Sequence, residues 1–536
     1  MGNKNKDSFL RGAFILGLAG IIVKIIGGFF RIPLGNMIGE DGMGYYQAAY
    51  PVYTLFLTLA TAGFPTALAK LVSEKSAIGD YKGAQKIFKV SYTVLFMTGL
   101  IAFCIFFFGA NYIVNNIMGN PGAYYAMIAI SPALLFVPIM SSYRGYFQGR
   151  KEMTKIAISQ IAEQFFRVAL GLWLAYYLME ARGPKLGAAG AITGATVGAI
   201  ASITYLILAY LREGKKRKLE IKSSQHFRDE SVGRILKKIL VVAIPITIGA
   251  SVMPLVNMVD NVIVIKRLVA AGYSLKEANA MFGQLTGFAM AIINLPSVIT
   301  IAMSMSLVPS ISESYAIGNK VKARKDTQSA IKVTLLMVLP AAFGIAALAI
   351  PIMQLLYPKQ PEMVGNLLLV LTPCVIFLGL MQTMNGILQG MGKPMVPVVA
   401  LGAGMLFKII ISYTLTSVPS INVFGSALGT ISAYFIAVLI ELHYIKKSMN
   451  IKFSIKDFIL RPLITVLTMF VVVKLSYAFL TDIIGSKLST VVSIGIGAAI
   501  YGIVIILIGG ISKEELLTIP KGDKIYKILK KFNLMR

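Results

Sequence analysis

The sequence has little charge, very little acid and few of the side chains that enzymes use for chemistry. Charged residues make up 14% of its 536 residues, against roughly 25% in a soluble globular protein. Asp and Glu number 23 against 52 Lys and Arg, which gives a net charge of +29. This composition excludes an ordinary soluble enzyme, a disordered chain and a coiled coil.

Cysteine and histidine are nearly absent, with two of each. Cys104 and Cys374 lie inside apolar runs, and His226 and His443 are isolated, so neither a disulfide framework nor a metal cluster is indicated. The sequence contains no P-loop, no HExxH motif and no Ser-His-Asp arrangement. We therefore expect no cofactor, no bound metal and no enzymatic activity.

Long apolar runs are what the sequence has instead. Hydrophobic residues make up 56% of the chain, with a mean hydropathy of +0.75, and runs of about 20 residues are long enough to cross a bilayer. The basic residues lie in short blocks between these runs, so they do not predict nucleic-acid binding. The fold class predicted is an all-α polytopic membrane protein. Its 14 transmembrane helices are predicted near 10–33, 46–69, 90–110, 123–148, 156–179, 187–211, 239–265, 284–311, 333–356, 364–390, 395–417, 424–445, 459–480 and 488–510.

The basic residues also predict the orientation of these spans. The loops and ends on the side of the N-terminus hold 37 of the 52 Lys and Arg, and the loops on the other side hold 7. Because cytoplasmic loops are enriched in Lys and Arg, both termini are predicted to be cytoplasmic. The N-terminal run lacks a cleavage site, which indicates a retained first span.

An internal repeat divides the chain. Residues 73–80 (SEKSAIGD) return at 312–319 (SESYAIGN), and residues 144–149 (RGYFQG) return at 385–390 (NGILQG). The two nearly equal offsets, 239 and 241, predict two parallel six-helix copies, as in some secondary transporters, which carry substrate between their halves. The predicted domains are an N-lobe (1–211), a basic linker (212–238), a C-lobe (239–447), two further spans (448–511) and a basic amphipathic tail (512–536).

Charges inside the predicted spans indicate the chemistry of the cargo. Buried cations outnumber buried acids, whereas a drug-cation antiporter needs a carboxylate that exchanges its cation. Arg and Lys bind phosphate and pyrophosphate well, so the excess predicts an anionic cargo. The predicted substrate-binding residues are Lys24, Arg31, Arg144, Arg167 and Lys408, of which Lys408 is the repeat equivalent of Arg167; the acidic residues, with coupling or charge-pairing roles, are Glu163 and Asp260.

Several of these residues have a second interpretation. Glu163 and Arg167 are four residues apart, so an internal ion pair competes with a substrate contact. Arg144 lies near a span end, from which its guanidinium can extend to the interface. Asp260 lies near two basic residues and can serve to neutralise one of them. Lys24 and Arg31 are two turns apart on one helix face, deep in the first span, and are the strongest candidates.

Four sequence stretches resemble a known family. Residues 24–34 (KIIGGFFRIPL), 63–70 (GFPTALAK), 144–149 and 158–164 (ISQIAEQ) resemble the stage V sporulation protein B branch of polysaccharide exporters. This branch lies in the multidrug, oligosaccharidyl-lipid and polysaccharide exporter superfamily and is similar to the bacterial lipid II flippases. The chain has Ile32 where those flippases carry Asp, and Leu55 and Phe56 where they often carry Arg.

The resemblance implies a carrier in a bacterial plasma membrane, with two six-helix lobes around a cationic cavity and a lipid-tail groove at spans 13 and 14. The implied cargo is an undecaprenyl-pyrophosphate-linked sugar, first of all lipid II, flipped to the outer leaflet by alternating access. A membrane potential or an ion gradient would drive it. Implied partners are the lipid-linked sugar pyrophosphate, membrane lipids and cell-wall synthesis proteins.

Three other functions stay open at this point. The first is a flippase for another lipid-linked glycan, such as a teichoic or capsular unit. The second is a drug-cation antiporter, against which the cation excess and the two extra spans argue. The third is a non-transporting scaffold for wall-synthesis enzymes, docked through the basic linker and tail.

Overall fold

The computed structural model describes residues 2–224, 230–360, 362–451 and 453–510, with side chains from residue 15 onward except at 316. Over these residues the fold is all-helical and contains no strand, which confirms the predicted fold class. The predicted tail helix at 512–536 lies outside them. The helices are α1 (Gly2–Thr61), α2 (Phe64–Ala77), α3 (Tyr81–Tyr112), α4 (Tyr124–Ile130), α5 (Ala133–Gly149), α6 (Met153–Arg182), α7 (Pro184–Arg212), α8 (Gly214–Lys222), α9 (Val232–Ala270), α10 (Leu275–Gly283), α11 (Met290–Ile293), α12 (Ser297–Ala316), α13 (Lys320–Ala347), α14 (Ala349–Leu356), α15 (Glu362–Gly390), α16 (Met395–Leu415), α17 (Phe424–Met449), α18 (Arg461–Ile484) and α19 (Ser486–Leu507).

Membrane-spanning helices dominate the described part of the chain. Eleven helical segments are long and apolar enough to cross a bilayer, or twelve if the bent pair Leu275–Ile293 and Ser297–Tyr315 forms one span. One of the eleven, Ile15–Ala77, covers the first two predicted spans together. Helix α6 overlies the predicted fifth span but is not among them, and it carries Glu163 and Arg167 in its interior. The count of fourteen and the cytoplasmic side of the termini stay predictions.

Helix α1 is two helices joined by a kink at Gly39. This residue has φ 66° and ψ −173°, a conformation that side chains with a Cβ rarely adopt. The kink separates a first part that carries Lys24 and Arg31 from a second part that carries Tyr46, Tyr50 and Tyr53. The first two predicted spans therefore meet at a bend in one helical segment, with no loop of irregular backbone between them.

The chain forms two compact units, Met1–Gly287 and Phe288–Arg536. The first unit contains α1 to α10 and the second α11 to α19. In the first, α1 packs against α6, α9 and α10. In the second, α15 packs against α12, α13 and α17, and α18 packs against α13. The predicted lobe and linker boundaries stay predictions.

The repeated sequence motifs form the same local structures in the two units. In the first motif, Gly79 and Gly318 have φ of 79° and 70°. The following residues, Asp80 and Asn319, cap α3 and α13, with side-chain oxygens that accept from the amides of Gly83 and Lys322 at 2.8 and 3.0 Å. Each motif is thus a helix end, a left-handed turn and an N-cap.

The second motif also ends in equivalent turns. Lys151 and Gly392 both have positive φ, and their amides donate to the carbonyls of Gln148 and Gln389 at 2.9 and 3.0 Å. Lys151 and Gly392 are 241 residues apart, which is the offset of the motif itself. The repeat therefore extends from the sequence to the backbone conformation of these turns.

Glycines set the close packing of α6 on α7. A Cβ added at Gly190, Gly194 or Gly198 would lie 2.3–2.5 Å from a backbone oxygen of α6. This ladder of small residues lets the two helices approach closely. Because Gly194 lies against the carbonyl of Arg167, the ladder also determines how far Arg167 lies from α7.

Candidate substrate site

The candidate site in the first unit begins where α1 packs on α6. A Cβ at Gly27 would lie 3.1 Å from Nε2 of Gln164, and a Cβ at Gly171 would lie 3.7 Å from the ring of Phe30. This packing leaves Lys24 exposed and Arg31 half-buried on the surface of α1. The two predicted cations are therefore accessible to a ligand or to lipid, and neither is enclosed in a helix interface.

Three tyrosines on the second part of α1 form a ladder beside the arginines. The rings of Tyr46 and Tyr50 are stacked, with centroids 6.0 Å apart and planes at 11°. Tyr50 and Tyr53 follow at 5.9 Å and 51°. Their spacing of four and three residues places them on one helix face. Tyr53 is buried, and its hydroxyl has no hydrogen-bond partner in the described residues.

Arg31 and Arg167 meet around this tyrosine ladder. The charges of both arginines act on Tyr46, and Arg167 also acts on Tyr50 and Tyr53. The structure thus brings together two of the five predicted substrate-binding residues. Two guanidinium groups beside phenol hydroxyls suit an anion with several oxygens, such as a pyrophosphate, because guanidinium binds phosphate through paired hydrogen bonds.

Arg144 is engaged by the protein itself. Its Nη2 lies 2.9 Å from Oε2 of Glu163 and 3.1 Å from Oγ of Ser202, and its Nε donates to Oγ of Ser159 at 2.9 Å. Glu163 is also within electrostatic range of Arg167, as its spacing predicted. Its close ion pair, however, is with Arg144, which lies on α5. This arrangement is typical of a structural ion pair that joins α5, α6 and α7.

The remaining predicted residues lie on helices other than α1, α5 and α6. Asp260 is buried on α9, next to Asn261, whose side chain donates to the carbonyl of Ala48 at 2.7 Å. Lys408 is buried on α16 in the second unit, and its charge acts on Cys374. Outside the predicted set, Lys474 is exposed at mid-length of α18, with its ammonium 5.3 Å from the ring centroid of Phe470.

Sequence reasoning missed the tyrosines and one acid. The i, i+4, i+7 spacing of Tyr46, Tyr50 and Tyr53 was a signal that could have identified them. Glu441 was not among the predicted in-span acids, yet it is fully buried on α17. Glu441 lies four residues from the predicted end of span 12, where the sequence suggests a side chain at the membrane interface. Its burial results from the packing of neighbouring helices, which the sequence does not show.

Comparison with known proteins decides the family. The family described as "Polysaccharide biosynthesis protein" matches residues 9–315, which is more than half of the chain. The chain belongs to this family. A second family, MatE, matches residues 284–414.

Relatives in Bacillus subtilis (strain 168) match most of the chain. Stage V sporulation protein B is 28% identical over 521 residues, covering 96% of this chain and 98% of the relative. Lipid II flippase MurJ is 29% identical over 462 residues, covering 84% of each. These matches confirm the predicted stage V sporulation protein B and lipid II flippase-like branch.

Solved structures show the same fold. An inward closed conformation of lipid II flippase MurJ matches with a TM-score of 0.69 at 18% identity, over 92% of this chain and 98% of that one. An inward-facing multidrug resistance transporter of the MOP superfamily matches with a TM-score of 0.64 at 15% identity, over 80% and 94%. These two structures show the fold, and the flippase relative agrees with the predicted transporter.

Proposed function

We propose that the chain is a flippase for lipid-linked sugar pyrophosphates, with lipid II as its cargo. The observation that carries the proposal is the meeting of Arg31 and Arg167 around Tyr46, in a member of the polysaccharide biosynthesis protein family. The headgroup of such a cargo is anionic and rich in hydroxyl groups. Guanidinium and phenol groups match both features.

In this proposal the protein binds and moves its cargo without catalysis. Arg31 and Arg167 hold the pyrophosphate, Lys24 attracts it from the exposed face of α1, and Lys408 is the counterpart of Arg167 in the second copy. The lipid tail stays in the bilayer, at a groove formed by spans 13 and 14. Alternating access of the two lobes in a bacterial plasma membrane then moves the headgroup to the outer leaflet.

A flippase for another lipid-linked glycan is the second candidate. The similarity to stage V sporulation protein B over 96% of the chain favours it, because the name of that relative does not specify lipid II. A cationic drug antiporter and a wall-synthesis scaffold have weaker support, since the site assembled in the first unit is cationic.

Complementation tests the proposal. The native lipid II flippase of a bacterial host is depleted while this chain is expressed. We expect growth to be rescued by the wild-type chain and not by a Lys24→Gln/Arg31→Gln double variant. A matched control, Lys82→Gln/Lys89→Gln, removes two exposed cations outside the predicted spans and should still rescue.

The outcomes separate the candidates. Rescue by the double variant would contradict the role of these cations. If wild-type protein is inserted and fails to rescue, lipid II is not the cargo, and the other glycans become the test substrates.

A further inference from the structure

Glu441 is a buried carboxylate without a hydrogen-bond partner in the described residues. It lies on α17 with 0% of its surface exposed, and neither carboxylate oxygen has a partner. Helix α17 packs against α15 and α16 in the second unit. Buried carboxylates in proteins are normally paired or hydrogen-bonded, so this group needs an explanation.

The internal repeat shows which position Glu441 occupies. A Cβ at Gly194 would meet the carbonyl of Arg167, and a Cβ at Gly429 would meet the carbonyl of Lys408. Arg167 and Lys408 are 241 residues apart, whereas Gly194 and Gly429 are 235 apart. The structural offset between α7 and α17 is therefore 235, and Glu441 corresponds to Leu206.

The second copy lacks the ion pair that neutralises Glu163, the half-buried acid of the first copy. In the first copy, Arg144 holds Glu163 with the help of Ser159 and Ser202. The offset is 241 for residues of α5 and α6 and 235 for residues of α7. By these offsets, Asn385 takes the place of Arg144 and Gly404 that of Glu163. Ala400 and Ala437 take the places of the two serines, so the second copy has neither the ion pair nor the hydroxyl groups.

Within the described part of the chain, no cation on the neighbouring helices pairs with Glu441. Neither of its carboxylate oxygens receives a hydrogen bond there, and the group is fully buried. Near the end of α17, Arg324 of α13 instead donates to the carbonyl of Met449. The titratable groups on the packed helices are Glu362 and Cys374 on α15, Lys408 and Tyr413 on α16, and Tyr434, His443, Tyr444, Lys446 and Lys447 on α17 itself.

We propose that Glu441 is a proton-binding site that takes part in the transport cycle. An ionised carboxylate in this place would cost several kcal/mol, because neither water nor a donor solvates it. The group therefore holds a proton in the conformation described, as a neutral carboxylic acid. When rearrangement of α15, α16 and α17 admits water, the acid releases that proton and becomes a carboxylate.

Proton binding at Glu441 couples the helix packing to pH. One proton is bound when the bundle closes around the carboxyl group and one is released when it opens. The inference concerns the second unit alone, and its first test needs no cargo. Only the second test, in which a proton gradient acts on transport, rests on the proposed function.

Infrared spectroscopy of the purified full-length chain is the first test. At neutral pH, we expect the carbonyl-stretch band of a protonated carboxyl group in the wild type and its loss in Glu441→Gln. Glu163→Gln is the matched control, since its acid is paired with Arg144 and should contribute no such band. Gln is a neutral isostere, so Glu441→Gln should keep the thermal stability of the wild type.

Two results would overturn the proton site. One is absence of the band from folded wild-type protein at neutral pH. The other is an unchanged band in Glu441→Gln. A carboxylate that held a metal cation instead of a proton would give the first result.

Transport into vesicles is the second test. With lipid-linked sugar pyrophosphate as the probe, a pH difference of one unit should shift the final distribution of cargo by up to about tenfold in the wild type. The shift should be absent in Glu441→Gln, and an equal shift in both proteins would contradict coupling at this residue. If neither protein transports the probe, the proposed cargo is wrong, while the infrared result still decides the proton site.

Discussion

At the residue scale, the in-span arginines differ in what surrounds their charge. Arg144 donates to a carboxylate and two hydroxyls of its own bundle, whereas Arg31 and Arg167 lie beside neutral phenols. The sequence predicts all three as buried cations, because a charged residue in an apolar run is easily found. It does not predict that Glu163 pairs with Arg144, because that partner comes from another helix.

Neutralising Arg167 should reduce transport. Arg167→Gln removes one of the two guanidinium groups at Tyr46, and a hydrogen bond to a charged group contributes about 1.5–3 kcal/mol. We expect a loss of roughly 10- to 100-fold in the initial rate of flipping in vesicles. Arg167→Lys should be intermediate, since it keeps the charge but loses the planar fork. A wild-type rate for Arg167→Gln in correctly folded protein would remove this residue from the site.

Removing Arg144 should instead destabilise the fold. Arg144→Gln leaves the half-buried Glu163 without its ion-pair partner, and the loss approaches the cost of breaking a fully buried pair, about 3–5 kcal/mol. Thermal unfolding in detergent should show the loss, and Arg144→Gln/Glu163→Gln should recover much of it. If Arg144→Gln kept the wild-type melting temperature and only raised the substrate concentration needed for half-maximal transport, the predicted substrate contact would be correct.

At the scale of helices, run length predicts where spans lie but not where they bend. The predicted eighth span, 284–311, lies within the helix pair Leu275–Ile293 and Ser297–Tyr315. The two helices are bent by 54° at a break before Ser297. Pro296 lies at that break and is visible in the sequence. The kink at Gly39 is less visible, since many glycines in α1 are ordinary helical residues and only tertiary packing selects the one that turns.

The glycine ladder of α7 gives a prediction about helix packing. In Gly194→Ala the new Cβ would lie 2.3 Å from the carbonyl oxygen of Arg167, so α6 and α7 must separate. We expect a loss of about 1–3 kcal/mol in stability, measured by thermal unfolding. Gly402→Ala is the matched control, because its Cβ would meet nothing within 4 Å. Equal melting temperatures for the two variants would contradict the close packing.

An ion-pair network links the first repeated motif to the start of α9. Nζ of Lys75 lies 2.8 Å from Oδ2 of Asp80 and 2.9 Å from Oε1 of Glu230, and Nζ of Lys238 lies 2.6 Å from Oε2 of Glu230. The hydrogen bonds from Lys238 and Lys75 lower the pKa of Glu230 to about 2. Because the pKa is lowered on folding, this stabilisation is present above the ordinary pKa of about 4.3 and is lost as the pH falls towards 2.

Glu230→Gln should therefore lower the melting temperature at pH 7. The difference from the wild type should shrink steadily as the pH is lowered below about 4.3. Glu74→Gln is the control, since the pair of Glu74 with Lys70 is exposed and 3.9 Å long and should contribute little. A difference that stays constant from pH 7 to pH 3 would show that Glu230 does not act through its charge.

At the scale of the whole molecule, the sequence predicts the family and the internal repeat, but it predicts only part of the candidate substrate site. The repeated motifs carry the turns and N-caps that form in the two units, since these depend on local residues. The tyrosine ladder and the isolation of Glu441 depend on tertiary packing. The sequence alone therefore does not predict them, because it does not show which helices are neighbours.

Flipping of lipid II by the purified chain tests directly whether Arg31 and Arg167 bind the cargo. Fluorescent lipid II is reconstituted into vesicles with the wild type, with Arg31→Gln/Arg167→Gln, or with the control Lys82→Gln/Lys89→Gln. We expect wild type and control to make the fluorescent headgroup accessible from the other leaflet, and the arginine variant to do so at least about tenfold more slowly. Equal rates for all three proteins would contradict the claim that these two arginines bind the cargo.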